Sequence, residues 1–285
     1  MTWRVWCLGW CSLWLTGCQS MGYYSQNIKG QWQILSQRQA LHTVIKQPDT
    51  PPNLVKQLQT IEQIRQFAAS LGLPIKGQYD TYVDIKRPYA MWSVAATPEL
   101  SLVPKTWCYW LVGCLSYQSF FAQPLAQQAE QTLQEQGYDT HLSAVTAYST
   151  LGWFRDSVLS SYVYKPEAEL AELLFHELAH QVVYAKNDPV FNESFAEVVA
   201  EEGLKRYLVG HNEGLERIAL RKQRQQQFAQ LVLDYRQQLA KVYQSALAVQ
   251  DKRHAKALLF QALQHSYQQL ETEQWQGVTG YDAWF

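Results

Sequence analysis

A chain of 285 residues with 47% hydrophobic content is long enough for one large domain or two small ones, and it has the apolar mass for a core. Its 24 basic and 25 acidic residues nearly cancel, which excludes a global field that would draw nucleic acid or an anionic membrane. The composition is that of a near-neutral globular protein rich in aromatic contact surface, with 11 Trp and 17 Tyr.

Residues 1–17 carry one basic residue, Arg4, and then an apolar run too short to be a stable bilayer span. The run ends in Leu15-Thr16-Gly17-Cys18, which resembles a bacterial lipobox. That reading makes 1–17 a lipoprotein signal and Cys18 the acylated residue, with a plain signal peptide or an uncleaved helical anchor as alternatives. Gln19 after the cysteine resembles the outer-membrane sorting pattern, so the expected location is the cell envelope, lipid-anchored and facing the periplasm. Cys7 and Cys11 leave with the signal, and the mature chain keeps Cys108 and Cys114. In an oxidising compartment this closely spaced pair reads as a disulfide, with a reduced apolar pair as the alternative.

Residues 18–31 read as a polar tether, and a catalytic domain is expected over 32–208. Helical spacing runs in outline from Gly30 to Lys46, breaks at the proline-rich 47–53, and resumes from Leu54 to Leu71. Between 75 and 165 the signals become β-type, at TYVDI, YAMWSVAA, SLVP, THLSAV and AYSTLGWF, with one helix at about 122–136. From Lys205 onward the chain is Gln-rich and helical, with two apolar stripes that predict a long antiparallel pair; 209–285 is read as a C-terminal helical region packed on the same domain. The fold class is therefore α+β, predominantly helical, with a small mixed sheet.

The chemistry lies in LLFHELAHQ, 173–181. A spacing of four along a helix puts His176 and His180 on one face, at a separation one cation can bridge. Glu177 is one step round, where it can take a proton from an activated water. Leu170, Leu173, Leu174, Leu178, Val182 and Val183 predict a core-facing stripe. After a short turn a second helix is expected at FNESFAEVVAEEG, with Phe191, Phe195, Val198, Val199 and Leu204 on its apolar face. A link this short lays the two helices side by side. Glu193 then faces the His pair as third ligand, and Glu197 is placed to accept an N–H from a ligand imidazole; the bland alternative makes both solvated acids. Imidazole and carboxylate donors favour one Zn²⁺ ion without excluding other divalent metals.

H-E-x-x-H followed by N-E-S-F-A resembles the gluzincin branch of zinc metallopeptidases. The wider set GYYSQ, RPYAMWSVAATPELSL, TWCYWLVGC, GYDTHL, AYSTLGWF, FHELAHQ and FNESFAE is similar to a bacterial family of zinc aminopeptidases that are predicted lipoproteins. The resemblance implies a zincin-like fold, a peptide substrate, and a strand before the metal helix that holds an extended peptide. AYSTLGWF, 147–154, is the candidate strand, and Gly152 would permit close approach of the backbone. Tyr148 is the candidate oxyanion donor, with Tyr162 a weaker competitor; an ordinary half-buried Tyr is the alternative for both. Glu99 is a candidate for the substrate α-amine, or else a cap or ion-pair partner. The aminopeptidase signature G-x-M-E-N is absent, which leaves open an envelope endopeptidase, or a non-catalytic lipoprotein whose zinc staples two helices. Members of that family continue past this C terminus, so a truncated end is expected.

Overall fold

The computed structural model describes residues 22–109, 113–148, 150, 154–209 and 212–282. The signal, Cys18 and Gly152 lie outside the described residues. The chain is α+β and mostly helical, with small sheets and a C-terminal helical pair. It divides into two compact units. One comprises the chain up to Ala95, Thr106–Gln136 and Thr140–Tyr207; the other comprises Ala96–Lys105, Gly137–Asp139 and the chain from Leu208.

In the first unit, helix α1 covers 22–36, so residues 22–31, expected within a tether, are helical. The reason is tertiary. Buried Ile34 and the side chains of Tyr23 and Gln26, which bond to the backbone of Ser119 in β6 and of Phe121 just after it, anchor a segment whose polar composition hides its helicity. Then follow β1 (Gln39–Ala40), α2 (Leu41–Lys46), α3 (Pro52–Ser70) and β2 (Thr81–Val83). They are succeeded by β3 (Met91–Pro98), β4 (Trp107–Tyr109), β5 (Gly113–Leu115), β6 (Tyr117–Phe120), α4 (Gln123–Glu135), β7 (Tyr138–Val145) and β8 (Val158–Leu159). Three small sheets result, in the orders β1-β2-β8, β6-β3-β7 and β4-β5. SLVP, 101–104, forms no strand, and neither do the described residues of AYSTLGWF. In the latter, Thr150 folds back on Phe154 and Asp156 through its N–H and hydroxyl, a local turn that competes with any ladder.

Cys108 and Cys114 are opposite one another in the β4–β5 ladder and are joined by a disulfide, S–S 2.03 Å. Gly113 has φ +87°, and a Cβ there would meet Asn187 Oδ1 at 2.2 Å, so only glycine fits this turn into β5.

Two further helices, α5 (Glu167–Ala179) and α6 (Pro189–Tyr207), carry the His and Glu motifs. The first begins after Pro166 with Glu167 and Glu169 in its opening turn, a favourable charge for a helix N-terminus. Leu170, Leu174, Phe175 and Leu178 are fully buried, together with Leu58, Ile61 and Ile64 of α3. At about 25 cal/mol per Å² of apolar surface, each such side chain contributes on the order of 1.5–3 kcal/mol. The helix ends at Ala179, one turn earlier than the stripe predicts, and Val182 and Val183 are exposed.

The buried face of α6 agrees with the expected one at Leu204 and differs from it nearer the start of the helix. Phe191 and Val198 are exposed, while Asn192, Ala196, Ala200, Gly203 and Leu204 are buried. Small side chains let α6 approach α5 closely; a Cβ on Gly203 would lie 2.8 Å from the Phe175 ring. Asn192 fixes the start of α6 by bonding to both backbone groups of Ala185, at 2.7 and 2.8 Å. This polar clamp wins over burial of the aromatic face, and it decides where Glu193 points.

The second unit holds α7 (Asn212–Gln244), α8 (Val249–Gln269) and a π-helical turn, Leu270–Gln274. Phe228, Tyr267 and Trp275 form its buried aromatic cluster, with Trp275 Nε1 donating to Gln227 Oε1 at 2.7 Å. Glu99 belongs to this unit. Its carboxylate accepts a bidentate pair from Arg253, at 2.7 and 2.8 Å, and Lys256 donates to its backbone carbonyl. Of the two expectations for Glu99, the structure shows the ion pair. A carboxylate already gripped by a guanidinium has little left for a substrate amine.

Candidate metal centre

His176 and His180 lie one helical turn apart at the end of α5, and Glu193, the fifth residue of α6, reaches them from near the start of that helix. The imidazole Nε2 atoms are 3.1 Å apart. Glu193 Oε2 is 3.3 Å from His176 Nε2, and Oε1 is 3.8 Å from His180 Nε2. Zinc bonds of about 2.0–2.1 Å in a tetrahedron place neighbouring donors about 3.3 Å apart. The three observed separations bracket that figure, so the set fits one four-coordinate ion with three protein donors. Among the described residues this is the group of His, Cys, Asp and Glu side chains close enough to share a cation.

The charges around the triad agree with this reading. The bond from His176 holds the Glu193 carboxyl below its ordinary range, and the same bond raises His176. Burial lowers His180, favouring the neutral imidazole that a metal needs. His180 Nδ1 is buried and, among the described residues, has no hydrogen-bond partner. Glu197 is exposed and, among the described residues, bonds to neither imidazole; it acts on His176 only through its field.

Glu177 faces a different environment. Burial, more than the fields of Asp156 and Glu193, pushes its carboxyl up to about 7. A group poised near neutrality can both accept and return a proton. The same shift carries a stability signature in chelator-treated protein. An acid whose folded value is raised destabilises the fold progressively as pH climbs from its unfolded value, 4.5, through about 7. Glu177→Gln should therefore match the parent near pH 4 and be more stable at pH 8, by on the order of 3 kcal/mol. Denaturant midpoints at the two pH values check this; equal differences at both would show that Glu177 ionises freely.

Tyr148, the expected oxyanion donor, is turned elsewhere: its hydroxyl donates to Gln31 Oε1 at 2.7 Å and its ring packs edge-on to Phe121. Tyr162 is buried and donates to the Ser157 carbonyl at 3.2 Å. Both hydroxyls are occupied by structural bonds. The phenol that does share the field of Glu193 and Glu177 belongs to Tyr117, on the edge strand β6. Nothing local singles it out, because its place depends on a strand pairing with β3 that sequence spacing does not encode. Asn192 was equally hidden, as a polar residue within an apolar pattern.

A protein-family profile described as "putative aminopeptidase" matches residues 22–285. No curated protein and no solved structure matches the chain.

Proposed function

This chain belongs to the putative aminopeptidase family, and from that premise we propose that it is a zinc-dependent aminopeptidase of zincin-like fold. The observation that carries the zinc assignment is the convergence of His176, His180 and Glu193, with the proton-accepting Glu177 beside them. Zinc at that site would supply a Lewis acid for the substrate carbonyl and lower the pKa of the attacking water.

The chain's own residues supply the rest. Glu177 takes the proton of the attacking water onto its carboxylate and returns it to the leaving amine. His176, His180 and Glu193 would hold the ion, and Asn192 ties the start of α6, and with it Glu193, to the α5–α6 link through its two bonds to Ala185. Tyr117, on an exposed edge residue within the field of Glu193 and Glu177, offers a phenol suited to donate to an oxygen that gains charge.

We place the enzyme in the bacterial envelope, anchored through a lipid on Cys18. Support comes from the lipobox-like Leu15–Cys18 and from the Cys108–Cys114 disulfide, a bond suited to an oxidising compartment. No helix among the described residues is long and apolar enough to cross a membrane. Fatty-acid labelling that survives Cys18→Ser would overturn the anchor.

The test of activity is hydrolysis of one peptide set in free-amine and N-acetylated forms, with zinc and with chelator. Zinc-dependent release of residues from the free-amine forms alone is expected. Internal cutting of acetylated forms would identify an endopeptidase. No cutting of either would leave the zinc as a staple between α5 and α6.

A further inference from the structure

The outer edge of β6 is open beside the metal triad and closed two residues away. Ser119 turns its backbone groups away from β3: its N–H donates to Tyr23 Oη at 3.4 Å and its carbonyl accepts from Gln26 Nε2 at 3.3 Å. The N–H of Phe121 is bound in the same way, by Gln26 Oε1 at 3.0 Å. Strand alternation puts the N–H and carbonyl of Tyr117 on that same outer side. There, among the described residues, neither group has a backbone hydrogen-bond partner. Edge strands with unmet N–H and C=O groups are templates for another extended chain.

Two observations place this open stretch at the triad. The Cys114 N–H, three residues before Tyr117, donates to Asn187 Oδ1 in the α5–α6 link at 3.4 Å. The Tyr117 phenol shares the field of Glu193 and Glu177. The distance along the strand from Tyr117 to Ser119 is about 7 Å.

We propose that the substrate peptide pairs as an added strand with the outer edge of β6 at Tyr117, and that Tyr23 and Gln26 of α1 close this edge at Ser119. The closure leaves room for one or two substrate residues on that side of the cleaved bond. It is a ruler: a peptide fits only if its chain ends there, which supplies the end-recognition an aminopeptidase needs without a dedicated carboxylate for the amine. The inference rests on the peptidase reading for its direction, since the short side is the amino side only if the enzyme acts from that end.

The experiment compares the parent with Tyr23→Phe/Gln26→Ala, which frees the Ser119 and Phe121 backbone groups but keeps the aromatic ring that stacks on Tyr109 at 5.6 Å. A nested peptide series, lengthened one residue at a time at the amino end, free or acetylated, is digested and the products are identified by mass spectrometry. The parent should release one or two residues from free-amine peptides, and the variant should gain at least tenfold on acetylated and deeper-reaching ones. An unchanged product pattern overturns the ruler and leaves the peptidase reading intact. Binding of the same fluorescent peptides is also measured in the Glu177→Gln background with zinc, where no turnover is required. There, acetylated peptides should bind at least tenfold tighter once the edge is opened; equal affinities overturn the ruler whether or not any peptide is cut. A binding change without cleavage by the parent would support the edge and sink the peptidase reading. A second variant, Tyr117→Pro, removes the outward N–H while sparing the β3 ladder. It should weaken peptide binding at least tenfold relative to Tyr117→Ala, and equal binding overturns strand addition.

Discussion

Glu177→Gln is expected to yield a folded protein that binds zinc with parental stoichiometry and hydrolyses free-amine peptides about 10²–10⁴-fold more slowly, the range for loss of a positioned general base. The amide has the volume and helix propensity of the acid, so α5 keeps its packing against α3 and α6. What it loses is basicity. The carboxyl of Glu177 is held near 7 by burial and is not ligated in the triad, so its removal leaves His176, His180 and Glu193 intact. The fall should appear in kcat with KM little changed, as for an interaction made only in the transition state. In chelator, the same substitution is expected to stabilise the fold above neutral pH. A residue that improves stability when neutralised but is needed charged for turnover marks a functional site rather than a structural one. Peptide hydrolysis within threefold of the parent would remove Glu177 from the reaction.

The His176–Glu177–His180 cluster was legible because its geometry is local: one helical turn sets it, and the flanking leucines announce the helix. Glu193 was legible at one remove, because a nine-residue link between two helices leaves them little choice but to lie side by side. The C-terminal pair was readable from its stripes for the same reason. Apart from the local turn at Thr150, which replaces the strand expected at AYSTLGWF, the main differences come from non-local packing. Of the apolar residues expected to face the core from α6, Leu204 does, but Phe191 and Val198 do not, since Asn192 and a run of small residues occupy the buried face. Residues 22–31 look like a tether until the strand that Tyr23 and Gln26 bind is known. Tyr148 sat in a plausible strand but donates to Gln31, 117 positions away, while the β6–β3 pairing brings Tyr117 within the field of Glu193 and Glu177. Spacing along the chain carries no record of such partners.

Glu193→Ala is expected to strip the metal, lowering zinc retained after dialysis to below a tenth of the parental stoichiometry. Even groups that only orient a ligand change metal affinity about 10–100-fold, and a ligand itself should exceed that range. The loss is large here because two imidazoles on one helix cannot by themselves enclose a cation. Glu193 supplies the only negative charge in the triad and the only donor from a second element. Without it, in the metal-free protein, the ion-pairing that raises His176 also disappears, so the His176 pKa should fall in a titration followed by NMR. Glu197→Ala is the internal comparison: that carboxylate is exposed and bonds to neither imidazole, so its removal should change zinc affinity less than tenfold. Zinc measured by mass spectrometry on the folded proteins distinguishes the two acids directly. Stoichiometric zinc in Glu193→Ala would show that α6 does not contribute the third ligand, and would dismantle the centre. Retention in Glu197→Ala together with loss in Glu193→Ala would show that the cation is held between α5 and α6 at Glu193, one turn before Glu197.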